Sequence, residues 1–204
     1  MPKRKPTVRV QIPILLADAV KNKRAILFLG AGASKEAKNA AGQTPPDADQ
    51  LRDILAQRFF GRPMKTRDVM AVAEMAIASS GGLGLVFHEV RQAFEGFQPS
   101  EAHKLISAFN WRAIATTNYD LLVEKAYSDS PQRLQTLVPF VKDDQPIEEK
   151  LQAAIYPVQY LKLHGCLLDS SIPLILSRES YASYSSNRKR LFDRLNRSSG
   201  LGHP

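Results

Sequence analysis

The sequence predicts an α/β fold, a largely parallel sheet with helices on both faces and a helical insertion. Two observations carry that expectation. Short apolar runs bounded by glycine or polar residues recur along the chain, and segments with apolar residues at helical spacing separate them; strands that alternate with helices in this way pair in parallel. The 204 residues, 44% hydrophobic and 24% charged, supply one domain with a sizeable core.

Each element has its own signal. Ile12 to Arg24 carries apolar residues at 12, 15, 16, 19 and 20, the stripe of an amphipathic helix that packs on the rest of the fold. Ala25 to Leu29 is a continuous apolar run stopped by Gly30, which fits a strand buried on both faces. The run Gly30, Ala31, Gly32, Ala33, Ser34 opens a second helix, and Thr44 to Asp49 is a proline-containing loop whose Asp47 or Asp49 can cap a helix from Leu51 to Phe60. Helices at Thr66 to Ala78 and Leu83 to Phe94 complete a helical insertion over about residues 48–96. Ser100 caps a helix that ends near Phe109. Trp111 to Thr117 is the second strand and Leu121 to Tyr127 the helix behind it. Ser128 to Gln152 reads as irregular apart from a strand around Leu137 to Val141, and Tyr160 to Leu163 and Leu174 to Leu176 are two further strands.

Composition excludes several classes. No apolar run approaches the roughly 18 residues that span a bilayer, and the apolar stretch behind the basic Met1 to Arg9 segment is broken by Asp18, Lys21, Lys23 and Arg24, which argues against a signal peptide. The chain reads as cytoplasmic, with no membrane partner. Cys166 is the single cysteine, so an intrachain disulfide and a zinc site of several thiolates are both excluded. The net charge of +8 sits at the ends: residues 1–24 hold seven Lys/Arg against one Asp, and residues 178–204 hold six against two acids. Lys3-Arg4-Lys5 and Arg188-Lys189-Arg190 are candidates for phosphate contact, although short charge runs are more often a solvated face. No DNA- or RNA-binding motif accompanies them, and nucleic-acid contact stays open.

Chemistry-bearing residues cluster at predicted strand ends. Gly30, Asn118 and His164 each follow a strand directly, at the carboxyl edge where parallel sheets place their ligands. The glycines at 30 and 32 would let backbone N–H groups approach a phosphate, with the Ser34 hydroxyl as a further donor; the alternative is a plain tight turn. Thr116, Thr117, Asn118 and Asp120 can bond ribose hydroxyls and a carboxamide, or cap the next helix. His164 is a candidate general base or an ordinary strand-end histidine. Asp47 and Asp49 stand at the distance of a ribose contact but look like caps. His88, His103 and His203 lack a metal-ligand partner at i+3 or i+4, so no metal site is expected.

Taken together, Gly30-Ala31-Gly32-Ala33-Ser34, Thr116-Thr117-Asn118-Tyr119-Asp120 and Lys162-Leu163-His164-Gly165 resemble, in this order and spacing, the sirtuin-like (silent information regulator) family over about Arg24 to Arg194. The likeness is strongest to the bacterial branch used in antiphage defence. The resemblance implies a Rossmann-like sheet and NAD+ as substrate. It places Gly30, Ala31, Gly32 and Ser34 at the pyrophosphate, Thr117 in the cofactor site, Asn118 at the ribose and the attacking water, Asp120 at nicotinamide, and His164 as the base.

Protein-deacylating members of that family carry a four-cysteine zinc module and a peptide-clamping strand, whereas this chain has one cysteine and no recognisable clamp motif after His164. The resemblance therefore implies an NAD+ glycohydrolase effector without zinc. A protein deacylase and a non-catalytic nucleotide-sensing or scaffolding module are the alternatives. Implied partners are an Argonaute-like protein, a helicase or a sensor domain, with homo-oligomerisation as a further route to activation. The family's sheet continues past the helix near Arg190 with a strand for the adenosine end of NAD+, so this chain, ending at Pro204, is expected to be truncated at its carboxyl end. Residues 1–24 read as a basic segment and helix, 25–195 as the catalytic domain, and 196–204 as a tail.

Overall fold

A computed structural model describes residues 11–199. Lys3-Arg4-Lys5 and His203 lie outside the described residues. The chain runs as α1 (Ile14–Lys21), β1 (Ile26–Leu29), α2 (Ala48–Phe60), α3 (Val69–Ser79), α4 (Leu83–Ala93), α5 (Glu101–Ile106), β2 (Ala113–Thr116), α6 (Leu122–Asp129), β3 (Thr136–Phe140), α7 (Ile147–Ala153), β4 (Pro157–Lys162), α8 (Arg178–Ala182) and α9 (Ser185–Ser199). Four parallel strands in the order β1-β2-β4-β3 form the sheet. This is the expected α/β, Rossmann-like class.

Strand alternation sends neighbouring residues to opposite faces. On one face Ile114, Val158 and Tyr160 pack with Val123 and Tyr127 of α6 and Ile106 of α5. On the other, Ala115, Val138, Phe140 and Leu161 pack with Ile147 of α7 and Leu191 of α9. The central strand β2 is buried at all four positions. Pro139 falls on β3, an edge strand, where a missing N–H costs no ladder bond. A separate core unites α2, α3 and α4 through Leu55, Val72, Ala76, Val86 and Val90, and Leu167, Leu174 and Leu176 plug into it. Asp47 caps α2 in a capping box with Gln50, and Asp68 caps α3.

Several expectations are corrected. β1 is not buried on both faces: it is an edge strand whose Phe28 is 55% exposed. The α1 helix forms, but its apolar stripe is only partly covered: none of its residues is buried, and Ile14 and Leu15 are 85% and 84% exposed. Gly30-Ala31-Gly32-Ala33-Ser34 opens a short 3-10 helix, Ala31–Glu36, rather than an α-helix. Ser128 to Gln152 is not irregular throughout, because α7 forms within it with Glu148 and Glu149 in its first turn, where acidic side chains suit the helix dipole. Leu174 to Leu176 is buried but is not a strand. Its backbone is satisfied locally, Ile175 N donating to His164 O at 2.9 Å and Leu176 N to Ser180 Oγ at 2.9 Å, so burial without a ladder explains the apolar run. Arg188 is 1% exposed and donates to Pro173 O at 2.9 Å, which removes it from any phosphate-binding surface. Lys189 is tied to Asp193.

Candidate active site

The carboxyl ends of β1, β2 and β4 are adjacent because those strands are neighbours in register, Leu29 beside Thr116 and Thr116 beside Lys162. The three predicted motifs therefore leave the sheet side by side. Thr116, the last residue of β2, turns its hydroxyl to Leu29 O at 3.0 Å and accepts from Asn118 N at 3.0 Å. That pair of bonds ends the strand and fixes the start of the following loop.

Asn118 reaches across to the β1 loop. Its Nδ2 donates to Gly30 O at 3.0 Å and to Ser34 Oγ at 3.0 Å, and Ser34 Oγ donates to Asp120 Oδ2 at 2.7 Å. Asp120 Oδ1 accepts from Leu122 N at 3.1 Å, which seats the first turn of α6. Asp120, one residue ahead of the N-cap Leu121, thus holds the first N–H of α6 as well as Ser34. Ser34 directs its one hydroxyl proton to Asp120 here, so donating to a phosphate would require it to give up that bond. Both N–H groups of the Asn118 amide are likewise committed, which leaves Oδ1 as its acceptor, with no protein donor among the described residues.

His164 stands two residues beyond β4. Leu163 N continues the ladder to Thr116 O at 2.9 Å, and Gly165 then turns the chain at φ +95°. A side chain there would be strained twice over, by that backbone angle and because a Cβ would lie a tight 3.1 Å from Leu174 Cδ2 and 3.2 Å from Pro173 O. The imidazole is half-buried and stacks edge-on against Tyr181 with ring centroids 5.2 Å apart, Tyr181 Oη standing 3.5 Å from Nδ1. Burial, and secondarily the positive charge of Arg188, holds His164 below the ordinary histidine value of 6.5. It is therefore a neutral base at neutral pH. Tyr119 anchors the far wall by donating to Ile175 O at 2.7 Å, and burial pushes its phenol well above its usual range.

A cavity of about 290 Å³ lies between these strand ends and the α2–α4 layer, and Ala31, Ser34, Thr117, Asn118, Asp120 and His164 all line it. Gly30 and Gly32 are not on its wall. Gly30 contributes a carbonyl to Asn118, while Gly32 is exposed with open space where a Cβ would stand. Neither glycine has a left-handed φ, so neither the fold's packing nor its backbone demands them. Asp47 lines the cavity, although its carboxylate also caps α2; Asp49 does not line it and pairs with Arg52. Tyr181 is a cavity residue that sequence reasoning missed, and Tyr119, named only as part of its motif, and Leu176, read only as a strand residue, also line the cavity. The Ser177 cap ahead of Arg178 was the available signal for the helix that carries Tyr181.

Residues 112–200 match the SIR2-like domain family. The match supports a sirtuin-like family for this chain and, broadly, an NAD-related activity. It contains the loop of Asn118 and Asp120 together with Lys162 and His164, and begins beyond the glycine loop, whose place in the site rests on the hydrogen bonds described above. No curated protein matches the chain.

Proposed function

We propose that this chain hydrolyses the N-glycosidic bond between nicotinamide and ribose in NAD+. The observation that carries the reading is the shared cavity of Asn118, with an uncommitted Oδ1 acceptor, and His164, held neutral. Nicotinamide leaves as a neutral ring from a cationic one and needs no general acid. The barrier is the developing oxocarbenium character of the ribose, which fixed dipoles stabilise in a site shielded from water. Asn118 Oδ1 accepts a hydrogen bond from the attacking water and orients it, and His164 takes a proton from water or a ribose hydroxyl. Asp120 offers its carboxylate to the carboxamide N–H groups while Ser34 holds it in place. Thr117 adds a hydroxyl on the same wall, and the exposed backbone at Ala31 and Gly32 is the open approach for the pyrophosphate.

Depletion of NAD+ as an antiphage effector belongs to the same proposal, as does activation by an Argonaute-like protein, a helicase or a sensor. Both are supported by the likeness of the three motifs. The test is incubation with NAD+ and chromatographic measurement of nicotinamide and ADP-ribose, with and without an acetylated peptide. Equal release of the two products without peptide is expected, and Asn118→Ala abolishes it. Nicotinamide release that requires the peptide would show a deacylase instead, and NAD+ binding with no product would show a sensing module.

A further inference from the structure

We propose that Lys162 is a positioning residue, its buried ammonium clamping the loop of Asn118 and Asp120 onto the strand that delivers His164. The proposal rests on the reading of the cavity as an NAD+-cleaving site. Lys162 ends β4, its side chain is 0% exposed, and it does not line the cavity. Its Nζ donates to Asp120 O at 2.5 Å, to Glu124 Oε1 at 2.7 Å and, more weakly, to Tyr119 O at 3.4 Å. Those three contacts match the three protons of an ammonium. Burial is the strongest single influence on Lys162 and pulls it downward, but its neighbours together, Glu124 foremost with Cys166 and Asp120, outweigh burial and keep the group above its ordinary range.

An ion in a protein core is an expensive way to fill space, since apolar residues of similar volume often serve stability as well. An apolar side chain has nothing to offer two carbonyl oxygens. Residues 117–121 belong to neither strand nor helix, so the Asp120 carbonyl has no ladder, and Lys162 is its hydrogen-bond donor. Fixing that carbonyl fixes a planar peptide and with it the base of the Asp120 side chain. Asn118 stands two residues before this clamp, and His164 stands two residues after Lys162. One buried cation therefore sets the spacing between the water-orienting amide and the base, from behind the cavity wall.

The test removes the clamp without leaving a buried charge unpaired. Lys162→Met/Glu124→Leu is compared with wild type and with Glu124→Gln, which keeps an acceptor for Nζ and leaves both carbonyl contacts. Hydrogen exchange of the amides of Asn118, Leu122 and Leu167, whose N–H groups bond to Thr116 Oγ1, Asp120 Oδ1 and Tyr119 O, thermal unfolding and the kinetics of nicotinamide release are measured on each. The double variant is expected to fold, to exchange those amides about tenfold faster and to lose about a hundredfold in kcat with little change in KM, as a small misplacement of reacting groups does. Glu124→Gln removes the counter-charge but leaves both carbonyl contacts, so it is expected to lose less protection and less rate than the double variant. Wild-type protection and kcat in the double variant would overturn the proposal. So would faster exchange with an unchanged kcat, or a loss in Glu124→Gln equal to that of the double variant; if the double variant does not fold, a loss of about a hundredfold in kcat in Glu124→Gln, where both carbonyl contacts remain, overturns it. Should wild type release no nicotinamide, the NAD+ reading fails, and the exchange of the Asn118, Leu122 and Leu167 amides decides the clamp alone.

Discussion

Ser34→Ala removes one oxygen from the centre of the site. That oxygen accepts from Asn118 Nδ2 at 3.0 Å, donates to Asp120 Oδ2 at 2.7 Å, and belongs to a residue 6% exposed. A neutral hydrogen bond contributes about 0.5–1.5 kcal/mol and one to a charged group about 1.5–3 kcal/mol, so the expected loss is about 2–4 kcal/mol. In a domain of this size each kcal/mol moves Tm by roughly 2–4 °C, giving a fall of roughly 4–16 °C by calorimetry. Nicotinamide release falls with it, because Asp120 and Asn118 lose their shared partner. If Ser34 were instead a phosphate donor, the variant would lose affinity for NAD+ at little cost in stability. A melting point within about 2 °C of wild type would refute the argument that this hydroxyl binds the two loops together.

Gly32→Val should fold nearly as well as wild type, since open space surrounds the missing Cβ and the backbone is not left-handed; an exposed change of this kind costs about 0.5 kcal/mol or less. Its calorimetric affinity for NAD+ should drop, and an unchanged affinity would make the glycine loop a plain turn. His164→Ala should abolish release, and in wild type the rate should rise with pH through an inflection below 6.5, because burial depresses the His164 pKa; an inflection above 6.5 would contradict that burial. His103 is also depressed by burial. Both histidines take up protons more readily in the unfolded chain, so their contribution to stability is complete above about 6.5 and is lost as pH falls below it, measurable as a declining urea midpoint. Gly165→Ala should cost more than about 1 kcal/mol from its positive φ alone, with contacts to Leu174 and Pro173 adding to it. An unshifted melt would show that the turn relaxes freely.

The sequence alone determined the class of fold and which polar loop residues follow its strands. Apolar periodicity and length distinguish helix from strand locally, so Ile26–Leu29, Ala113–Thr116 and the later part of Pro157–Lys162 were legible, as were the loop residues that follow them. Tertiary structure decided what those residues are free to do. Strand order cannot be read from local patterning, and it is the order β1-β2-β4-β3 that brings Gly30, Asn118 and His164 together and leaves β1 at an edge. The apolar run Leu174–Leu176 has the composition of a strand, yet it is buried by the α2–α4 core, because burial requires apolar contact and not a ladder. Hydrogen-bond partners are set the same way. Ser34 spends its proton on Asp120, 86 residues away, and Lys162 reaches the carbonyl of Asp120 from the next strand. A residue's type fixes how many bonds it can make, while the packing of distant segments fixes which of them remain for a ligand.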